Sequence, residues 1–276
     1  LRSAPLSATA RTGSAAPAIW VDLKEPDTPR AVVPGAEVAL LQPLRIAISP
    51  IISPEKSAQK YQNLADYLAR RLGRSPVLLG RQTYMEILEL LRHRHCEVAP
   101  VCTYAFVHGE REFGLQALAA PQETGGAMTY RSLILAPAAA PAKSLLEMRG
   151  KRFASADLLS TSGWLYPAVW LKERNQDPEH FFSEHAVTGS HDRSVEAVAA
   201  RYVDGAAVFD QVYDQMVKAD PSVAEKVLVV DRSPAFGMPP FVVHPKLDPA
   251  LRRGLLAAFL GAHDDPAGRR ILADLN

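Results

Sequence analysis

The sequence predicts an α/β protein folded as two lobes. Three observations point there: strands and amphipathic helices alternate from Leu44 to the C-terminus, the strands are short runs of buried-type residues, and there are more such units than one compact sheet of this length usually needs. The 276-residue chain, 47% of it apolar, is large enough for one large domain or two smaller ones. Residues 1–43, rich in Ala, Pro, Ser and Thr, read as an extended leader or linker with Trp20-Val21-Asp22-Leu23 as its one candidate strand.

From Leu44 the elements follow in order. Leu44–Ile48 is a buried strand, and Tyr61–Leu72 has apolar residues at helical spacing up to Gly73. Pro76–Leu79 is a strand, Tyr84–Arg92 a helix and Glu97–Val101 a strand. The second half repeats the alternation: strand Ser132–Leu135, short helix Ser144–Met148, strand Arg152–Ala154, helix Ser162–Asn175, strand His185–Val187, helix Arg193–Tyr202, strand Ala206–Phe209 and helix Gln211–Lys218. Val227–Val230 and Phe241–Val243 are late strands, and helices over Pro249–His263 and Gly268–Leu275 close the chain. Such alternation implies sheets of mostly parallel strands covered by helices, with ligand sites where loops at the carboxyl ends of strands converge.

Charge and composition narrow the function. Lys plus Arg (31) nearly cancels Asp plus Glu (30), and no basic block is interleaved with aromatics, so nucleic-acid binding has little support. No apolar run approaches the roughly 18 residues of a membrane span. Cys96 and Cys102, the only cysteines, lack a Cys-x-x-Cys pattern, and the extended stretch between them keeps them apart, so two free thiols are expected. His93-x-His95-Cys96 offers soft metal ligands, but residues two apart point in different directions on a helix and arginines interleave them. It reads as a solvated helix end, and neither a metal nor a cofactor is expected.

The most informative stretch is Ser160-Thr161-Ser162-Gly163, directly before the helical run, echoed by Thr188-Gly189-Ser190-His191-Asp192. The first turn of a helix leaves backbone N–H groups unpaired and carries partial positive charge, so a small oxyanion finds donors already aimed at it. One hydroxyl would suffice to cap the helix; three in a row, followed by a glycine that permits close approach, point to anion binding. His191 adds a possible donor, whose protonation would strengthen binding as pH falls. Asp192 reads as favourable first-turn charge. Asp210, after a buried strand, either caps the next helix or accepts a bond from a protonated ligand oxygen or an amino group. Tyr84 is either a ligand contact or helix-face packing.

These pieces carry a family resemblance. Leu44-Arg45-Ile46-Ala47-Ile48-Ser49-Pro50, Tyr61–Leu68, Asp157–Gly163 and Thr188–Asp192 together resemble the periplasmic substrate-binding proteins of phosphonate, phosphite and phosphate ABC transporters, over all but the first forty or so residues. The resemblance implies a type II periplasmic-binding-protein fold: lobe one over residues 44–130 plus 240–276, lobe two over 131–239, and hinge strands near Tyr130–Leu135 and Pro239–Val243. It implies a monomeric, non-enzymatic receptor, freed of its signal peptide in the periplasm, that captures a small oxyanion and hands it to an ABC permease. Ser160, Thr161, Ser162 and His191 then correspond to groups on the anion, Tyr84 to a tyrosine from the other lobe, and Asp210 lies near a family acidic residue.

The sequence departs from the family in Val101–Val107, where a ligand-facing tyrosine is commonly placed: Cys102-Thr103 alignment puts Phe106 there, alignment on the aromatic puts Tyr104. Cys102 beside the pocket is reminiscent of arsenite-sensing relatives. A sensory receptor for phosphite or arsenite, docking on a histidine kinase, is therefore an alternative. A hydrolase using Ser162, His191 and Asp210 is a second one, weakened because Ser160–Trp164 is not a Gly-x-Ser-x-Gly elbow.

Overall fold

The structure, a computed structural model, describes residues 42–275 apart from 124 and 140. The leader and its candidate strand Trp20–Leu23 lie outside the described residues except for Gln42 and Pro43, which are irregular. The chain runs β1 (Leu44–Ile48), α1 (Pro54–Arg71), β2 (Pro76–Gly80), α2 (Tyr84–Arg92), β3 (Ala99–Pro100), α3 (Thr103–Phe113), β4 (Gln116–Ala119), β5 (Thr129–Tyr130) and β6 (Ser132–Pro137). A 3-10 turn (Leu145–Met148) precedes β7 (Arg152–Ser155), and a π-helical turn (Thr161–Leu165) leads into α4 (Tyr166–Lys172). Then come α5 (Pro178–Phe181), β8 (Glu184–Val187), α6 (His191–Ala199), β9 (Gly205–Phe209), α7 (Asp210–Ala219), α8 (Ser222–Lys226), β10 (Val227–Arg232), β11 (Phe236–Gly237), β12 (Phe241–Val243), α9 (Pro249–Leu260) and α10 (Pro266–Leu275).

Two lobes emerge with one topology. In the first, β2 and β1 pair in parallel, β1 is bridged in parallel to the β3 segment at Ile46 and Val98, and β12 lies antiparallel between β3 and β4. In the second the order is β8-β7-β9-β6-β10, with β6 the antiparallel strand. The opposed strand in each sheet is the one the chain enters on crossing from the other lobe. The sheets are thus mixed, although four of five strands in each run the same way. Beside the crossings, β5 and β11 form a two-stranded antiparallel ribbon.

Local chemistry explains the element ends. Pro54 sits in the first turn of α1, where its missing N–H costs nothing, so the helix begins one and a half turns or more before the predicted Tyr61. Thr83 and Glu86 form a reciprocal capping box at the start of α2. The expected strand Glu97–Val101 shrinks to a two-residue ladder, and the segment after it, for which no helix is predicted, becomes α3. Cys102 caps that helix, its Sγ accepting from Ala105 N, and Gly114 ends it at φ 75°, a left-handed conformation glycine adopts without strain.

Helices cover both faces of each sheet. Leu44, Ile46, Leu68, Val98 and Leu255 are fully or almost fully buried in a cluster joining β1, α1 and α9, while Tyr84, Ile87, Leu91 and Leu115 fill the opposite side. In the second lobe Val195 and Val198 of α6 pack on Leu133 and Val208, and Phe153, Leu171 and Phe181 form the other layer. Fully burying such side chains contributes roughly 1.5–3 kcal/mol each, so each lobe carries an apolar core of its own.

Candidate functional site

Between the sheets lies a small cavity lined by Ile51, Tyr84, Cys102, Tyr130, Ser162, His191, Phe209 and Pro239. Four residues singled out from the sequence, Tyr84, Cys102, Ser162 and His191, meet there from opposite lobes. Among the described residues, no Asp, Glu, Lys or Arg lines it.

The two hydroxyl-rich motifs behave differently. Ser160 caps the π-helical turn, its Oγ accepting from Gly163 N at 2.9 Å, so the ordinary capping role is the one it fills. Thr161 Oγ1 accepts from Tyr104 N of the other lobe at 2.8 Å. Ser162 is the residue left for the cavity: its carbonyl accepts from Ser132 Oγ at 2.6 Å, while its own hydroxyl has no hydrogen bond among the described residues. Gly163 is required by packing, since a Cβ there would stand 2.9 Å from Ser160 Oγ and 3.2 Å from Ala156 N.

At the second motif every hydroxyl is engaged. Thr188 Oγ1 bonds the Ser190 carbonyl and Ser194 Oγ, Ser190 Oγ donates to Asp192, and His191 N donates to Ile51 O across the cleft at 3.1 Å. This helix start therefore offers the cavity one group, the His191 ring. Its Nδ1 accepts from Phe209 N at 3.2 Å, which leaves the proton of the neutral imidazole on Nε2, on the side of Ser160 Oγ 3.5 Å away. Burial lowers the His191 pKa to about 4, so the ring is a neutral donor at physiological pH and the expected strengthening of binding on protonation has no place near neutrality.

Tyr130 was missed as a site residue. It is 2% exposed, and its hydroxyl, beside Thr161 and Thr103, makes no hydrogen bond of good geometry. Burial pushes its pKa up to about 12 and raises that of Tyr84 well above the ordinary value, so both phenols keep their protons and can donate. The available signal was its place at the strand crossing, since a tyrosine between lobes faces the cleft from both. Ile51, Phe209 and Pro239, the apolar wall, carried no sequence signal beyond hydrophobicity.

Other expected residues lie elsewhere. Thr103 Oγ1 donates to Gly237 O at 2.9 Å on the crossing ribbon, and Tyr104 and Phe106 pack with the core cluster behind Cys102; none of the three lines the cavity. Neither alternative for the family tyrosine within Val101–Val107 therefore reaches the cavity, because α3 starts at Thr103 and turns those side chains along its own faces. Asp210 accepts from Arg131 N at 2.9 Å and Gln211 N at 3.0 Å, so both oxygens hold the crossing strand and the helix start. Cys102 Sγ donates to Leu159 O at 2.9 Å, and burial raises its pKa. Cys96 is likewise free and buried, and His93 is exposed at the end of α2.

Polar ties hold the lobes together around the cavity. Asp157 accepts from Tyr84 N at 3.1 Å, and Asp192, 2% exposed, accepts from Ser53 N and from Lys56 Nζ, both at 2.9 Å. The Asp192 pKa is lowered: burial opposes ionisation, but the bonds from Ser190, Lys56 and Ser53 outweigh it. Asp192 is thus more than first-turn charge; it joins the lobes.

The two-lobed architecture, with a small cavity lined by Ser, Tyr and His side chains between its sheets, matches a known family. The ABC transporter phosphonate periplasmic substrate-binding proteins match residues 46–276. The chain belongs to that family. Among solved structures, a binding-protein component of an ABC phosphonate transporter from Pseudomonas aeruginosa superposes with a TM-score of 0.79 at 22% identity, covering 85% of this chain and 79% of that one. PhnD1 from Prochlorococcus marinus in complex with methylphosphonate gives 0.75 at 17% identity, over 84% and 89%. An ancestral arginine-binding protein bound to arginine gives 0.61 at 14%, over 86% and 99%. The shared architecture is the type II periplasmic binding fold, and membership makes this chain a transporter substrate-binding protein.

The hydrolase alternative meets a physical obstacle. A triad needs a carboxylate on His191 Nδ1, and that nitrogen accepts the Phe209 N–H while Asp210 holds backbone amides.

Proposed function

We propose that this protein captures a small phosphonate-type oxyanion in the cavity between its lobes and presents the closed form to an ABC permease. The observation that carries this is the convergence of residues with donor groups: Ser162, Tyr84, Tyr130 and His191 line one cavity, the Ser162 hydroxyl makes no hydrogen bond among the described residues, and the proton of the His191 ring is on Nε2. Each hydrogen bond to a charged oxygen contributes roughly 1.5–3 kcal/mol, so four of them support micromolar or tighter capture without a lysine or arginine.

The crossings at Tyr130–Ser132 and Gly237–Phe241 are the hinge in this reading, and lobe one comprises 44–130 plus 240–276. Closure brings Tyr84 and Ile51 onto Ser162 and His191, and the bonds of Asp192 to Ser53 and Lys56 form as it closes. The family supports a periplasmic location, reached after removal of a signal peptide.

Calorimetric titration with phosphite, phosphate, methylphosphonate, sulfate and arsenite tests the proposal. Binding of methylphosphonate or phosphite at micromolar affinity is expected, with arsenite weaker because Cys102 is buried and its Sγ already donates to Leu159 O. Absence of heat with every phosphorus oxyanion would overturn it.

A further inference from the structure

The segment that delivers Ser162 is tied to the first lobe at every second residue. Asp157 Oδ2 accepts from Tyr84 N at 3.1 Å, Leu159 O accepts from Cys102 Sγ at 2.9 Å, and Thr161 Oγ1 accepts from Tyr104 N at 2.8 Å. The two amides belong to the first turns of α2 and α3, where no intrahelical acceptor exists for them. The serines that alternate with these ties have other tasks, Ser160 as the cap of the π-helical turn and Ser162 at the cavity.

Asp157 differs from the other two in holding both lobes at once. Its Oδ1 accepts from Leu159 N at 2.7 Å and its carbonyl from Ser160 N at 3.1 Å, which fixes the turn leading to Ser162, while its Oδ2 fixes the first residue of α2. That helix has a complete cap of its own, since Thr83 and Glu86 satisfy each other's amides, so Asp157 is not needed to start it. What the carboxylate adds is a bond between two residues that line the cavity from opposite lobes or lead into it: the Tyr84 amide on one side and the Ser160 turn on the other. A negative group is favoured there by the partial positive charge of the helix start, and Asp157, 4% exposed, is buried without itself lining the cavity.

We propose that Asp157 is a positioning residue of the anion site: without touching the ligand, its carboxylate sets the spacing between Tyr84 and Ser162 in the closed form. This rests on the oxyanion reading of the cavity and deepens it.

The test is a double-mutant cycle read by calorimetric titration of the whole chain with methylphosphonate, over Asp157→Ala, Tyr84→Phe and the two combined. Asp157→Ala alone is expected to weaken binding about tenfold, the order of one bond to a charged oxygen. In the Tyr84→Phe background, where the hydroxyl it places is already gone, the loss is expected to be less than about threefold. Asp157→Asn keeps the size and one acceptor oxygen; its affinity is expected between those of Asp157→Ala and the unaltered chain, and it carries the same cycle should Asp157→Ala fail to fold. A purely structural role would lower the melting temperature and leave the losses independent, so equal losses in both backgrounds, or none in either, overturn the proposal. Titration of the unaltered chain decides the oxyanion reading on its own. No heat there overturns both, whereas binding there with equal losses in the variants overturns only the role of Asp157.

Discussion

The Ser160–Gly163 and Thr188–Asp192 segments both place hydroxyls and a glycine at a helix start, yet only the first turns a hydroxyl toward the cavity. At the first, Ser160 satisfies the cap alone, so Ser162 is left without a protein partner. At the second, Thr188, Ser190 and Ser194 bond one another and nearby carbonyls, and the helix's first N–H donates to Ile51 O. A hydroxyl-rich helix start becomes a binding site when its donors outnumber its internal acceptors. Where acceptors keep pace, the same composition builds a joint.

The sharpest way to break this contrast is Ser162→Ala. Losing one bond to a charged oxygen should weaken methylphosphonate binding roughly ten- to a hundredfold by calorimetry, with little change in melting temperature. An unchanged affinity would place the anion elsewhere. Next comes Asp192→Ala, which deprives Ser53 N and Lys56 of their acceptor across the cleft. Roughly tenfold faster ligand release is expected in stopped-flow tryptophan fluorescence, since the closed form loses its tie; an unaltered release rate would make the tie incidental.

A smaller effect is expected from pH. His191 and His185 are both held near a pKa of about 4 by burial, below the ordinary 6.5, so the unfolded chain binds more protons than the folded one between those values. Stability contributed by these rings is complete above pH 6.5 and declines toward pH 4. Chemical denaturation at pH 7.5 and 5 should show this decline, reduced in His185→Gln. Binding of a fixed-charge sulfonate should stay flat from pH 8 to 6, because His191 does not titrate there. The smallest effect belongs to Thr188→Val: about 1 kcal/mol of stability for the lost hydroxyl bonds and less than a twofold change in affinity. A large loss of affinity would erase the distinction between the two motifs.

Much of the architecture was legible because periodicity reports burial. Apart from β4, where no strand is predicted, and the shortened β3, the strands of both sheets and helices such as α2 fall where apolar spacing places them. Missed elements have local causes. Helix α1 starts early because Pro54 fits a first turn, although the apolar pattern is weak until Tyr61. Helix α3 begins with a cysteine cap, a residue not usually read as one, and a run of Tyr, Phe and Val that suggests a strand. The strand opposed in each sheet cannot be read from pattern at all, since its direction is set by the crossing and not by its own residues.

For the site, residue type was informative and commitment was not. Ser162, His191 and Tyr84 stand out in sequence, but whether a polar atom is available depends on partners distant in the chain. Asp210 has the right chemistry and is held by Arg131 N. Tyr130 passes for a hinge residue until its side chain is seen to line the cavity with a buried, unpaired hydroxyl. Its burial fixes it as a donor, which sequence alone could not assign.

A crystal structure of the protein with methylphosphonate tests the central claim most directly. The expected result is the phosphonate head between the lobes, its oxygens within hydrogen-bond distance of Ser162 Oγ, the Tyr84 and Tyr130 hydroxyls and His191 Nε2. An anion seated instead on Lys56 or Lys60 in the outer groove, with Ser162 uncontacted, would contradict it.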